Sequence, residues 1–142
     1  MPLNPAFKGR VYPPTEPYEV GREKIREFAE AIGEPDPAAD PDGPVVAPPT
    51  FAIVLTMRAE RQAVFDPELG LDLSRLLHRE QRFDYTRPIV AGDRLTVTVR
   101  VEDVGGAGPA DVLTLSSAVT TTDGEHVCTA TATLVTMGDE DA

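Results

Sequence analysis

Two carboxylates, Glu34 and Asp36, stand in the run Gly33-Glu34-Pro35-Asp36-Pro37-Ala38-Ala39. They are the candidates in this chain for proton-transfer chemistry. A carboxyl group in a sheltered site can hold its proton up to near-neutral pH and then act as a general acid or base. It must also come within hydrogen-bond reach of the reacting group. The competing reading is a pair of solvated acids in a proline-rich turn. No imidazole stands beside them, because position 39 is alanine and the two histidines, His78 and His126, are far along the chain.

The remaining chemistry-bearing residues point to structure. His78, within Leu76-Leu77-His78-Arg79, reads as an exposed or hydrogen-bonded strand residue. His126 follows an Asp123-Gly124 turn, and neither histidine has a partner at metal-ligand spacing. Cys128 alternates with alanines and reads as a small buried residue. Being the single cysteine, it also excludes an internal disulfide. Ser116 and Ser117 have no base nearby. Thr50 fits a helix cap or a packing residue, and Gly92-Asp93 fits a turn before a strand. No metal and no cofactor are expected.

These residues must be positioned by a small set of elements. Eleven of the fourteen prolines fall in the first fifty residues, so residues 1–18 read as an extended arm. Ile25, Phe28, Ala29 and Ile32 recur at helical spacing and predict an amphipathic helix over 22–32. Gly33 would stop it and Pro35 would prevent its continuation. Pro48-Pro49-Thr50 opens a second helix over 51–65. Its first half is apolar nearly all round and must be wrapped. Its second half, with Arg58, Glu60, Arg61 and Gln62, is expected to emerge into solvent.

Strands follow. Leu95, Val97, Val99 and Val101 alternate with polar residues over 95–102, and 112–121 and 127–136 read likewise. Asp123-Gly124 marks a hairpin between the last two. Gly105-Gly106-Ala107-Gly108 reads as the connection before them, and 78–85 as an earlier strand ended by Pro88. One domain over 1–142, with an acidic tail at 138–142, accounts for the length. A sheet wrapping one hydrophobic helix buries both together, which is an α+β layout.

Composition removes several function classes. The net charge of −11 argues against nucleic acid, which requires a basic surface. Residues 58–100 hold eight arginines against seven acids, so that window is +1 and the remainder −12. The window could meet a phosphopantetheine or an acidic carrier protein, solvated surface charge being the plainer reading. No run approaches the ~20 apolar residues of a membrane span, and the start Met1-Pro2-Leu3-Asn4-Pro5 lacks a signal-peptide pattern. With the single cysteine, these features favour the cytoplasm.

Several segments carry a family resemblance across nearly the whole chain. Tyr18-Glu19-Val20-Gly21-Arg22-Glu23-Lys24-Ile25-Arg26-Glu27-Phe28 resembles the opening helix of MaoC-like N-terminal dehydratase-domain proteins. Ala47-Pro48-Pro49-Thr50-Phe51 is similar to their central-helix start, and Arg87-Pro88-Ile89-Val90-Ala91-Gly92-Asp93-Arg94-Leu95 to their approach to a strand. Residues 33–39 resemble the hydratase-2 motif, Gly-Asp-x-Asn-Pro-aliphatic-His, with Glu34 for the Asp, Asp36 for the Asn and Ala39 for the His. The loop over 36–46 is shorter than is usual for the family.

The resemblance implies a hot-dog fold and an acyl thioester as ligand, carried on CoA or on an acyl carrier protein (ACP). Dehydration of a β-hydroxyacyl thioester needs a base, an acid and a donor to the thioester oxygen. In active relatives a backbone N–H at the start of the central helix supplies the donor. Pro48 or Pro49 at that place would have none. The substrate-binding residues implied are Pro48, Pro49, Thr50, Phe51 and Val54, although both prolines also simply set the helix direction. Ala39 cannot transfer a proton. The implied role is therefore the accessory subunit of a heterodimeric (3R)-hydroxyacyl-ACP dehydratase, beside a MaoC-like catalytic subunit. A self-sufficient homodimeric enoyl-thioester hydratase or thioesterase using Glu34 or Asp36 is one alternative. A non-enzymatic acyl-thioester binding protein is the other.

Overall fold

The computed structural model describes residues 3–37, 42–107 and 109–137. Ala39, in the degenerate motif, and the acidic tail at 138–142 lie outside the described residues. The α+β expectation holds. A curled antiparallel sheet cradles a helix in the hot-dog arrangement, built from β1 (Tyr18–Glu19), α1 (Arg22–Ala31), α2 (Ile53–Val64), β2 (Leu76–Tyr85), β3 (Arg94–Ala107), β4 (Ala110–Thr121) and β5 (His126–Met137).

The arm is extended as expected but contains a 3₁₀ turn at Pro5–Phe7, held by Asn4, whose side chain accepts from the Ala6 N–H. Beyond that turn it runs along β3, where the N–H groups of Gly9, Tyr12 and Thr15 donate to the carbonyls of Val101, Val99 and Val97. The arm thus covers one sheet edge that would otherwise stay unpaired.

Helix α1 ends as its sequence requires. Gly33 has φ +75°, its N–H donates to the Glu30 carbonyl, and the Glu34 N–H donates to the Ala29 carbonyl. This paired cap needs a left-handed residue at Gly33. Ile25 and Ala29 are buried, and Phe28 meets Phe51 edge-to-face at 5.5 Å. Ile32, expected on the same face, is instead exposed, because it sits at the C-cap where the chain is already turning away.

Space and sequence part company in the sheet, whose strand order is β1-β3-β4-β5-β2. The four longer strands do not follow one another as simple neighbours: β2 lies beside β5, with Leu76 opposite Thr136 and Tyr85 opposite Cys128. After β2 the chain crosses to the far side to begin β3. On the concave face, side chains form rows across four strands, such as Val97, Val119, Cys128 and Tyr85, and next to it Val99, Ser117, Ala130 and Phe83.

The β3–β4 connection is also tighter than the glycines suggested. Gly105 and Gly106 lie within β3, opposite Val112 and Asp111. A Cβ on Gly106 would stand 2.6 Å from the Ala110 carbonyl oxygen, so the glycine permits a close backbone approach rather than making the loop. The Asp123-Gly124 hairpin forms as expected, with Gly124 at φ +92°.

The core lies between α2 and the concave face. Leu55, Ala59 and Ala63 are buried against Leu95, Val97, Val99, Val101, Leu113, Leu115 and Val119. The helix begins at Ile53, preceded by tight turns in which the N–H groups of Phe51, Ile53 and Val54 donate to the carbonyls of Pro48, Thr50 and Phe51. It is wrapped on one side only: Met57 and Phe65 are 58% and 61% exposed. Glu60 overturns the expected solvent face. It is only 5% exposed, because it falls four residues after buried Thr56 and joins the stripe of Leu55, Ala59 and Ala63.

Candidate functional site

The turn after α1 presents Glu34 and Asp36 to solvent. Its backbone is fixed by the helix cap, while the nearby guanidinium of Arg26 is engaged by Glu23 and, at 3.2 Å, by Glu30. Asp36 contributes to the electrostatic field at Arg26. The two imidazoles have other partners. The Nε2 of His78 lies 3.1 Å from the Glu80 carbonyl oxygen, and both ring nitrogens of His126 are taken by threonine hydroxyls, Nδ1 by Thr86 at 2.5 Å and Nε2 by Thr129 at 2.7 Å.

The residues implied as substrate-binding part into three environments. Phe51 is fully buried, held against Phe28. Pro49 and Thr50 are exposed and Pro48 half-buried at the approach to α2; Pro49 lines a cleft of about 420 Å³ with Val46, Tyr85, Thr86, Pro88 and Ile89. Val54 faces a different cleft. Thr50 does not cap α2 through its side chain: the N-cap is Ala52, and Thr50 contributes only its carbonyl, to the Ile53 N–H.

Tyr85 closes the start of α2. Its hydroxyl donates to the Pro49 carbonyl, and the Ala52 N–H bears on the phenol oxygen. Burial, followed by the neighbouring Cys128, pushes the phenol above its ordinary pKa. The backbone at the start of α2 is therefore engaged by a tyrosine of β2. Cys128 sits beneath it, fully buried, and burial raises its thiol to about 11, far from the thiolate a nucleophile requires. The turn into β3 is clamped separately: Arg87 forks onto Asp93 at 2.9 and 3.1 Å, and Asp93 also accepts from the Val90 N–H at 2.9 Å.

The second cleft, about 600 Å³, runs between α2 and the β2–β5 edge of the sheet. Val54, Met57, Val64, Phe65, Leu76 and Leu134 form its apolar walls. Glu60 lines it too, and burial alone raises its carboxyl to about 7. Reading the sequence missed this residue, since a glutamate among arginines and glutamine on a helix looks solvated. The signal was its spacing of four from Thr56, alongside Leu55, Ala59 and Ala63. Among the described residues no group of three or more His, Cys, Asp or Glu side chains could hold a metal ion.

Comparison with known proteins agrees with this layout. The model of the FAS1-like dehydratase domain region matches residues 6–130. A UPF0336 protein of Streptomyces avermitilis is 50% identical over 149 aligned positions, covering 99% of both chains. Among solved structures, a chain of the HadBC (3R-hydroxyacyl-ACP dehydratase) complex from Mycobacterium tuberculosis superposes with a TM-score of 0.77 at 30% identity, covering 91% of this chain and 96% of that one. A MaoC-like dehydratase superposes at 0.84 with 34% identity, over 96% of this chain and 44% of that one. The fold is that of the hot-dog dehydratases. Within that class, this chain belongs to the FAS1-like dehydratase family of MaoC-like proteins.

Proposed function

We propose that this chain is the accessory, at most weakly catalytic subunit of an R-specific 3-hydroxyacyl-thioester dehydratase or hydratase. It holds the acyl chain, presented on ACP or CoA, and supports a MaoC-like partner that carries the complete proton-transfer pair. The observation that carries this reading is the placement of the two imidazoles. Both are engaged on β2 and β5, His78 with the Glu80 carbonyl and His126 with the hydroxyls of Thr86 and Thr129. The contact of Tyr85 with the start of α2 supports the same reading, since a side chain of this chain already engages the helix start that the resemblance assigns to the thioester oxygen.

A surface suited to a second hot-dog subunit supports the partner. Strand β2 is at the edge of the sheet, so one side of its backbone is unpaired within the sheet. Leu77 on that strand is 61% exposed and joins Met57 and Phe65 as large exposed apolar side chains. Exposed apolar side chains beside an open strand edge suit subunit association. No helix among the described residues is long and apolar enough to cross a membrane. With the single buried thiol, this suits work in the cytoplasm.

Assay of the purified chain on crotonyl-CoA and on a longer enoyl-CoA tests the proposal, followed by co-expression with a subunit carrying an intact Gly-Asp-x-Asn-Pro-x-His motif. Negligible turnover alone and turnover in the complex are expected. Robust turnover by the isolated chain, abolished by Glu34→Gln, would sink it in favour of the self-sufficient enzyme.

A further inference from the structure

Glu60 is a buried acid, one of whose oxygens has no hydrogen-bond partner among the described residues. Its Oε1 is inaccessible and makes no hydrogen bond among the described residues, and the same holds for the Oγ1 of Thr56, one helical turn earlier. A buried polar atom left unpaired is costly, so such atoms stand where another group is meant to meet them. Glu60 lies in a cleft whose walls are otherwise mostly aliphatic and aromatic, within the size range of small-ligand sites.

The charged and titratable side chains sharing that cleft are Arg58 and Arg61 on α2 and His78 on β2, while β5 contributes only Leu134. None of them pairs with Glu60, and burial is the sole cause of its shift. Arg58 is instead drawn to the Tyr18 ring, 5.6 Å away. At mildly acidic pH the Glu60 carboxyl is neutral, and a neutral carboxyl is a hydrogen-bond donor. An apolar cleft with a buried donor is complementary to a hydrocarbon chain interrupted by one uncharged acceptor.

We propose that the cleft between α2 and the β2–β5 edge binds an aliphatic acyl chain bearing a hydroxyl or carbonyl oxygen, and that Glu60 donates a hydrogen bond to that oxygen. The proposal rests on the acyl-thioester reading above and adds a selectivity to it: oxygenated chains are retained in preference to plain ones. Met57 and Phe65 line the cleft and also belong to the surface assigned to a partner, so the partner would close its outer wall.

The test is calorimetric titration of the full chain in its native oligomer with two CoA thioesters of equal length, decanoyl and (R)-3-hydroxydecanoyl. The titrations are run at pH 6 and pH 8.5, on either side of the Glu60 value of about 7. The hydroxyacyl thioester should bind about tenfold tighter at pH 6, as befits one hydrogen bond from a buried donor. That preference should shrink at pH 8.5. Glu60→Leu should abolish the preference, and Glu60→Gln, still a donor, should keep it at both pH values. Equal affinities in the wild type at pH 6, or an undiminished preference in the leucine variant, would overturn the role of Glu60 and leave acyl binding intact. Failure of both thioesters to bind would overturn the acyl-thioester reading with it.

Discussion

The hydroxyl of Tyr85, on the last residue of β2, donates to the carbonyl of Pro49, just ahead of α2. This contact joins the last residue of β2 to the turns that lead into the central helix. Tyr85→Phe keeps the ring in the cleft and removes the bond. The substitution should cost about 1 kcal/mol, read as a lower urea midpoint at unchanged slope. An unchanged midpoint would mean that the contact carries no stability.

Glu60 should make the stability of the chain fall as pH rises. Its folded value, about 7, lies above the 4.5 of an unhindered glutamate, so between these values the native state holds a proton that the unfolded state has lost. Stability should therefore decline as pH rises from about 4.5 through about 7, by on the order of 3 kcal/mol in all. Glu60→Leu should flatten that decline and be the more stable protein at pH 8. Urea melts of both proteins from pH 5 to pH 9 check this, and parallel curves would refute it.

Gly106 tests the tight end of the β3–β4 hairpin. Gly106→Ala places a methyl group against the Ala110 carbonyl oxygen, a backbone atom that cannot swing aside. A loss of about 1–3 kcal/mol is expected, by analogy with overpacked sites. Gly105→Ala, whose Cβ would meet only the Asp103 side chain at 3.7 Å, should cost less and serves as the control. Equal midpoints for the two variants would show that the hairpin opens to accept the methyl.

Local chemistry was the legible part of this chain. Gly33 with Pro35 marked the end of α1, Asp123-Gly124 marked a hairpin, and alternation marked β3, because each depends on residues a few positions apart. The order of strands was not legible, since nothing near Leu76 states that its neighbour is Thr136. Gly105 and Gly106 looked like a loop because the carbonyl they make room for is brought close only by pairing. The site divides in the same way. Glu34 and Asp36 stood out by type and lie exposed, while Glu60 was hidden by its charge although its spacing placed it inward. A residue's polarity predicts its surroundings less well than the stripe to which it belongs.

The position of β2 beside β5 has a consequence for how the molecule comes into being. Its neighbour in the sheet is the last strand among the described residues, so β2 waits unmatched while everything between them is synthesised. The wall of the Glu60 cleft supplied by Leu134 arrives at the same late moment. Nascent chains shortened before His126 would emerge from the ribosome with that strand stranded, open to adhesion with its own kind, and with no place yet made for any acyl guest.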